Sequence, residues 1–311
     1  MVLGRALFIV NPAAKHGETA KLVPSVERLA ASAATSIQIA HSAGPRHAFD
    51  LASAAEGFDA VVAVGGDGTA HEVLNGVMKH SPQTRPLYGI VPTGSGNDYA
   101  HTLGISDDVA TAFSQLAAGH TRRVDLGRCN GIWFGESVAV GLDARVTAKA
   151  VELKSTTRLS GLSLYLRALL YVLRHQYYGH RVVIGYDDEP PFETEMLIVA
   201  ATNGPTYGGG FRITPDSILD DGLLDVCRID MIPKLEAFVR LPFVILGKHT
   251  KMRPVHMARA RRVTIVAEKP FEGQIDGEVL FESAYDIEVV PAALDVLVPG
   301  DASDTRAEDG Q

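Results

Sequence analysis

The chain has 311 residues, and at about 150 residues per domain this length predicts two domains. Hydrophobic residues make up 46% of it and charged residues 21%, which argues against global disorder. The net charge of −8 disfavours a protein that mainly coats nucleic acid, and we expect no nucleic-acid partner. The two cysteines, Cys129 and Cys227, exclude a secreted disulfide framework, so we expect free, buried thiols and a cytoplasmic protein. No apolar run nears the ~18 residues that span a bilayer, so any membrane contact should be peripheral.

Residues 1–121 alternate between two hydrophobic patterns. Continuous apolar runs that end in Gly or Pro indicate strands buried on both faces of a sheet. These runs are residues 7–10, 60–64 and 89–91, with a weaker one at 37–39. Between them, apolar residues recur at helical spacing within residues 22–33 and 109–116. The alternation predicts a doubly wound α/β domain, in which ligands bind beyond the carboxyl ends of the strands.

After about residue 121, strand-like segments follow one another, separated by Gly, Pro, Asp and Asn. They are residues 137–140, 181–186, 195–201, 224–229, 262–267 and 286–290. This succession predicts an antiparallel sheet or sandwich as the second domain, interrupted by helices near 159–173 and 234–247. The small, polar and acidic residues 301–311 predict a disordered tail.

Three predicted strand ends carry unusual loops that could hold phosphate groups. They are residues 11–17, the run Gly65-Gly66-Asp67-Gly68-Thr69, and residues 92–99. Glycine lets backbone N–H groups turn toward an anion, and a following helix adds partial positive charge. Asp67 and Asp98 would repel a phosphate unless Mg²⁺ stands between them and it. The patterns of Walker-type nucleotide-binding proteins, dinucleotide dehydrogenases, serine hydrolases and zinc hydrolases are all missing.

Several sequence blocks together resemble the catalytic domain of diacylglycerol kinases and related lipid kinases. The first is the Gly65–Thr69 loop with Glu72-Val73-Leu74-Asn75-Gly76 behind it, and the second is residues 92–99, similar to the family's P-x-G-T-G-N-D-F loop. Further matching blocks are residues 141–144, 203–204 with 207–210, 220–225 and 276–278. The resemblance covers nearly the whole chain, up to about residue 299.

The resemblance implies an α/β nucleotide-binding domain, of the type shared with NAD kinases and phosphofructokinases, joined to a larger β-sandwich-like domain. The first domain would comprise residues 1–121 with a strand near 292–300 that returns to it, and the second residues 122–291. In this family the active site lies in the cleft between the two domains. The cofactors implied are ATP and Mg²⁺.

The resemblance also assigns roles to individual residues. Asp276 would be the general base, supported by Glu278, while Asp67, Asp98 and Asp125 would organise catalytic Mg²⁺ and water. A separate structural metal would be bound by Asp221, the carbonyl of Leu223 and Asp216. The nucleotide would contact Asn11, Lys15, Gly65, Gly66, Asp67, Gly68, Thr69, Glu72, Thr93, Gly94, Ser95 and Asn97.

The chain departs from the family pattern at a few positions. Ala13 and Ala14 stand where Ser-Gly is usual, Ser95 replaces Thr, and Tyr99 replaces Phe. The nearby Lys15 could compensate by charge for the missing hydroxyl.

Two features allow a structural as well as a functional interpretation. Asp276-Gly277 fits a β-turn between strands as well as a catalytic position. If Asp276 is the base, we expect Asp276→Asn to lower turnover by about 10²-fold or more with folding retained. Residues 234–262 contain eight Lys or Arg and one acid, Glu236, which suits an anionic lipid surface but also a core-packing helix followed by solvated basic residues.

The expected activity is transfer of the γ-phosphoryl group of ATP to a lipid hydroxyl, with diacylglycerol as the default acceptor. Sphingoid bases, ceramide, monoacylglycerol and phosphatidylglycerol remain open as acceptors. The alternatives are an NAD kinase, which also carries a Gly-Gly-Asp-Gly-Thr loop, and a lipid- or nucleotide-binding regulator without catalysis. The expected partner is a lipid at the inner membrane face. The resemblance also implies a homodimer, because members of this family commonly form one.

Overall fold

The computed structural model describes residues 3–157, 159 and 161–300. Within them the chain forms two compact units. The first contains the residues up to Val124 and those from Leu294 onward, and the second is Asp125–Ala293. The predicted disordered tail, residues 301–311, lies outside the described residues.

The first unit is built on a parallel sheet. Its strands are β1 (Leu3–Val10), β2 (Ala34–His41), β3 (Ala60–Gly65) and β4 (Leu87–Pro92), in the order β2-β1-β3-β4. The last strand of the chain joins beside β4 in parallel, with Val296 opposite Tyr88. The helices of this unit are α1 (Glu18–Ala33), α2 (His47–Ser53), α3 (Asp67–Val77), α4 (Asp98–Thr102) and α5 (Val109–Ala118).

The burial of these strands explains their composition. Every residue of β3 is buried, as is the second half of β1, because these central strands have neighbours on both sides and helices over both faces. The edge strand β2 alternates between exposed and half-buried positions, which is why its apolar pattern is the weakest of the four. The predicted apolar stripe of α5 is confirmed, with Ala112, Phe113 and Leu116 buried.

The second unit is β-rich. Its strands are β5 (His120–Cys129), which belongs to this unit from Asp125 onward, β6 (Ile132–Phe134), β7 (Ser137–Gly141), β8 (His180–Tyr186), β9 (Phe192–Thr202), β10 (Leu224–Asp230), β11 (Val255–Ala260), β12 (Arg262–Ile275) and β13 (Glu278–Val298), which belongs to it up to Ala293. The main order is the antiparallel series β11-β10-β9-β7-β12-β13, and β8 pairs with both β9 and β12. The helices are α6 (Leu142–Thr156), α7 (Gly161–His175) and α8 (Lys234–Ile245).

The long strands β9 and β12 each change partner along their length. β12 pairs with β8 through residues 263–266 and with β7 through residues 273–275, with a register shift between the two regions. This lets the sheet fold over one apolar core that contains Phe134, Ile184, Phe271 and Tyr285. The predicted fold class, an α/β nucleotide-type domain followed by a β-rich domain, is confirmed.

Some predictions for individual elements were incomplete. The helix predicted near 159–173 is α7, but α6 was not predicted, although Leu142, Val146 and Ala150 recur every four residues and are buried. The expected free and buried state of Cys129 and Cys227 is confirmed. In the part of the chain that the structure describes, no helix is long and apolar enough to cross a membrane.

Candidate active site

Two loops follow neighbouring strands of the first unit and are joined by backbone hydrogen bonds. The chain leaves β3 at Gly65 and enters α3 at Asp67, with Gly66 as the N-cap. The N–H of Thr93, just past β4, donates to the carbonyl of Gly65 at 2.8 Å. Because β3 and β4 are adjacent and parallel, both loops lie at the same carboxyl edge of the sheet.

Asp67 holds the second loop in place. Its carboxylate accepts hydrogen bonds from the backbone N–H groups of Asn97 (2.9 Å) and Asp98 (2.8 Å) at the start of α4. Asn97 has a left-handed backbone, with φ of 60°, and its side-chain oxygen accepts from Gly94 N at 3.0 Å. These contacts fix both loops before any ligand binds, so the amides in them are preorganised.

Gly66 and Gly94 bring the two loops into backbone contact. A Cβ added at Gly94 would lie 2.4 Å from Gly66 Cα, and one added at Gly66 would lie 3.0 Å from Gly94 Cα. No side chain therefore fits between them, and the floor of the loops is bare backbone. Such a cradle is suited to phosphate groups, which approach N–H donors closely only where Cβ atoms are missing.

The carboxylates beside the two loops are possible ligands for Mg²⁺. Gly96 lies between two acids, because a Cβ added there would be 2.6 Å from Asp67 Oδ2 and 3.7 Å from Asp98 Oδ2. Among the described residues, no group of three or more His, Cys, Asp or Glu side chains is arranged to hold a metal ion. Mg²⁺ is commonly bound by one or two carboxylates together with waters and substrate phosphates. Asp67 and Asp98 fit that mode, whereas an all-protein cage is not formed.

The other predicted nucleotide residues differ in their contacts and in their burial. Asn11 donates to the Thr69 hydroxyl at 2.9 Å, and Thr19 donates to the buried Thr93 hydroxyl at 3.0 Å, so these polar groups support the two loops. Gly68 is exposed and Ser95 is half-buried beside them. Lys15 lies in a short 3-10 turn, where it pairs with Glu18 at 3.3 Å.

Glu72 contacts the start of α2. Its two carboxylate oxygens accept from the backbone N–H groups of Arg46 (2.8 Å) and Ala48 (3.1 Å), at the start of α2. Glu72 therefore holds the start of α2 against α3, and its contact with a nucleotide stays a prediction.

In the second unit, Asp276 lies in the two-residue hairpin between β12 and β13. Asp276 and Gly277 both have positive φ, 46° and 90°, as a tight hairpin turn requires. The Asp276 carboxylate accepts from three backbone N–H groups, those of Gly135 (2.9 Å), Glu136 (3.1 Å) and Ser137 (2.9 Å). Glu278 follows the turn and is exposed.

Asp125 is the most enclosed of the predicted catalytic acids in the second unit. Its side-chain oxygens accept from Gly222 N at 2.6 Å and Ala292 N at 2.7 Å, and the residue is 3% exposed. Its backbone carbonyl accepts from the buried Asn203 side chain at 2.9 Å. In the structure this carboxylate ties together segments nearly 170 residues apart in sequence, so it anchors the fold of the unit.

The predicted structural metal site is close to a protein cation. Asp221 forms an ion pair with Arg259 and accepts from Leu223 N at 3.1 Å, while Asp225 pairs with the same guanidinium at 3.4 Å. Burial raises the pKa of Asp225, and the charge of Asp216 acts in the same direction. Of the two carboxylates expected to hold a metal, Asp221 is compensated here by Arg259, and the metal assignment stays a prediction.

A large apolar pocket in the second unit was not predicted from the sequence. Its empty volume of about 870 Å³ includes solvent space at its open mouth. Its walls come from α6, α7, α8, β9 and the segments around them. The apolar lining includes Leu142, Val146, Leu169, Leu173, Leu197, Phe211, Ile213, Ile229, Leu241 and Val244.

One carboxyl group lines this pocket. Burial raises the pKa of Asp143 to about 6, although hydrogen bonds with Tyr207 and Gln274 act in the opposite direction. The Gln274 amide donates to Asp143 Oδ2 at 3.3 Å, which connects this acid to the strand that ends at the Asp276 turn. The sequence feature that could have indicated a role for Asp143 is the Gly141–Ala144 block at the end of β7, one of the blocks that carry the family resemblance.

Comparisons with known proteins agree with this architecture. Residues 5–129 match the diacylglycerol kinase catalytic domain, and residues 136–298 match the YegS C-terminal NAD kinase beta sandwich-like domain. The chain is 30% identical to a diacylglycerol kinase of Mycobacterium tuberculosis over 309 residues, 96% of each chain. It is 32% identical to a diacylglycerol kinase of Bacillus subtilis over 225 residues, 71% of each chain.

Solved structures share the fold. A crystal structure of a diacylglycerol kinase from Bacillus anthracis superposes with a TM-score of 0.75 at 23% identity, over 97% of this chain and 99% of that one. An NAD kinase from Archaeoglobus fulgidus superposes more distantly, with a TM-score of 0.53 at 14% identity, over 98% and 97% of the two chains. The matched domains and the full-length relatives together show that this chain belongs to the diacylglycerol kinase family.

Proposed function

We propose that this protein is an ATP- and Mg²⁺-dependent lipid kinase that phosphorylates a lipid hydroxyl, with diacylglycerol as the first choice of acceptor. Membership of the diacylglycerol kinase family supports the kinase activity. The observation that carries the lipid acceptor is the apolar pocket of the second unit, which presents the carboxyl group of Asp143 among hydrophobic walls.

The nucleotide part of the proposal depends on the two glycine loops. The backbone around Gly66 and Gly94 would hold the phosphates of ATP, with Asp67 keeping the loops in register through its two amide contacts. Mg²⁺, when bound with ATP, would neutralise charge on the phosphates, and we propose Asp67 and Asp98 as the residues that would hold it.

The acceptor part depends on apolar burial. Each methylene group that leaves water for an apolar pocket contributes roughly 0.8 kcal/mol, so an acyl chain of eight carbons would gain several kcal/mol there. A polar acceptor such as NAD would lose its hydration against Leu169, Leu197 and Leu241 without compensating hydrogen bonds. Asp143 and Tyr207 are among the polar groups of the lining that could bind the glycerol part of a lipid.

Phosphoryl transfer requires the attacking hydroxyl to be in line with the γ-phosphate and its proton to be accepted. In the proposed mechanism Asp276 performs this task, while the amides of Gly135, Glu136 and Ser137 hold the carboxylate in one orientation. An aspartate fixed in this way contributes mostly by orienting the hydroxyl, since it is a weak base.

The test is phosphate transfer by the purified protein from γ-labelled ATP with Mg²⁺, using diacylglycerol, a sphingoid base and NAD in parallel. We expect label in phosphatidic acid. Label in a phosphorylated sphingoid base would change the acceptor but keep the lipid kinase, whereas label in NADP alone would overturn the proposal in favour of an NAD kinase.

A further inference from the structure

Helix α8 has two apolar faces, which is unusual for a helix at a protein surface. On its inner side, Ala237, Phe238 and Leu241 pack against the core of α6 and α7, and Leu241 and Val244 line the apolar pocket. None of the residues of α8 is fully buried, so the helix packs on this core from the surface of the unit. It forms part of the pocket wall.

The outer face of α8 is also hydrophobic. Leu235 is 77% exposed, Val239 is 65% exposed and Phe243 is 45% exposed, and the three recur every four residues. Leu246, just beyond the helix, extends the stripe and is 60% exposed. A helix that faces only water carries polar residues on its outer side, so a continuous exposed apolar stripe indicates a binding surface.

Charge beside the stripe identifies the kind of surface that it would meet. Lys248, Lys251 and Arg253 follow the helix and are all exposed. The acid of α8, Glu236, is paired with Arg240 at 2.6 Å, so it does not offset these three charges. The chain as a whole has a net charge of −8, which would repel it from an anionic bilayer unless a local basic patch made contact.

We propose that the outer stripe of α8, defined as Leu235, Val239, Phe243 and Leu246, docks this protein on an anionic lipid bilayer, with Lys248, Lys251 and Arg253 at the headgroups. The stripe would enter the boundary between headgroups and acyl chains, as interfacial amphipathic helices do. Because the inner face of the same helix lines the pocket, the docked helix would stand between the bilayer and the pocket. That pocket's role as the acceptor site rests on the function proposed above, whereas the docking does not.

A second copy of this chain fits the surface less well. A symmetric dimer through the stripe would bring the patch of one copy against the same patch of the other. The three basic side chains would then approach their own equivalents, and like charges would oppose the contact. Anionic lipid satisfies both the apolar stripe and the basic loop.

The experiment compares binding of the full chain to vesicles of phosphatidylcholine alone and with 30% phosphatidylglycerol, by co-sedimentation. The triple variant Leu235→Gln, Val239→Gln, Phe243→Gln removes the stripe, and Lys248→Glu with Lys251→Glu reverses the charge. The matched control is Val151→Gln with Val266→Gln, two exposed apolar positions elsewhere in the second unit. Circular dichroism checks that each variant is folded.

We expect the wild type and the control to bind anionic vesicles, and the stripe variant to bind about 10²-fold more weakly or worse. The charge variant should lose the preference for anionic lipid, and added salt should weaken wild-type binding. The proposal would be overturned if the folded stripe variant bound anionic vesicles as well as the wild type does. It would also be overturned if the wild type formed a dimer through the stripe and did not bind vesicles.

Activity toward a short-chain, water-soluble diacylglycerol separates this proposal from the proposed function. The stripe variant should phosphorylate the soluble acceptor at the wild-type rate and lose activity only on vesicles. Vesicle binding without any kinase activity would support the docking surface and would contradict only the proposed lipid kinase function.

Discussion

Substitution of Asp276 by Asn keeps the shape of the side chain and removes its charge. The remaining oxygen can still accept from Glu136 N and Ser137 N, but the new amide group faces Gly135 N, and two donors cannot bond to each other. A hydrogen bond to a charged group contributes roughly 1.5–3 kcal/mol, so the variant should lose about 2–3 kcal/mol of unfolding free energy.

That loss is too small to account for a large loss of activity. Starting from about 5 kcal/mol, the low end of the usual range, some 2 kcal/mol would remain and about 97% of the molecules would stay folded at 25 °C. If Asp276 orients and deprotonates the acceptor hydroxyl, turnover should nevertheless fall by about 10²-fold or more. The two effects are therefore separable.

The assay measures urea unfolding and steady-state turnover on soluble diacylglycerol for the same preparations. Asp187→Asn is the matched control, because Asp187 also lies in a turn with positive φ, 47°, and accepts two backbone amides, those of Arg261 and Arg262, at 2.8 Å. The control should lose stability but keep its turnover. If Asp276→Asn retains more than half of the wild-type turnover, Asp276 only anchors the turn and the base assignment is wrong.

Three further predictions follow from other parts of the structure. Gly94→Ala puts a Cβ 2.4 Å from Gly66 Cα and should weaken ATP binding, measured by calorimetry, on the order of 10-fold or more. The control Gly44→Ala, which has open space around it, should bind ATP as the wild type does. Equal ATP affinities of Gly94→Ala and the wild type would show that the backbone around Gly66 and Gly94 does not hold the phosphates. The Glu272 carboxylate is buried, which alone would raise its pKa, but the hydrogen bond with His180 and the charge of Arg145 lower the pKa to about 2. The contribution of the Glu272 carboxylate to the free energy of unfolding is therefore complete above about pH 4.5 and is lost as the pH falls toward 2. Urea unfolding should show that the stability of Glu272→Gln depends less on pH in that window than the stability of the wild type, and an equal pH dependence would contradict this. Burial raises the pKa of Asp143 to about 6, so between about pH 6 and pH 4 the folded chain holds a proton that the unfolded chain has lost; wild-type stability from this group should rise as the pH falls through that window and stay level above it, and Asp143→Asn should lack this rise if the assignment holds.

The parallel sheet and its loops could be predicted because the relevant signals are local. Continuous apolar runs such as Ala60–Gly65 mark central strands, and glycines directly after them mark the loops. Matching blocks in the same order along the chain then indicated the family before any tertiary contact was known.

The tasks of individual carboxylates could not be predicted, because they depend on contacts between distant parts of the chain. Asp67 receives amides from residues about thirty positions later, and Asp276 receives amides from residues about 140 positions earlier. In sequence, an acid that binds an ion looks the same as one that binds backbone N–H groups. For the same reason Glu72, which belongs to the glycine block, proved to face the start of α2.

The pocket and α6 were missed for a related reason. Each wall residue is an ordinary apolar residue of a helix or strand, and only packing shows that they enclose a space. The alternation of small and charged residues in Leu142–Thr156 conceals its four-residue period, which is clear once Leu142, Val146 and Ala150 are seen in one buried cluster. The exposed stripe of α8, in contrast, has a four-residue spacing that is visible in the sequence.

The central claim is that this chain moves the γ-phosphoryl group of ATP to a lipid hydroxyl with the help of Asp276. The most direct test measures label transfer from ATP to a soluble short-chain diacylglycerol by wild type, Asp276→Asn and Asp187→Asn side by side. We predict labelled phosphatidic acid from the wild type and Asp187→Asn, and about 10²-fold less or lower from Asp276→Asn. A wild-type protein that binds ATP and Mg²⁺ yet labels no lipid acceptor would contradict the account.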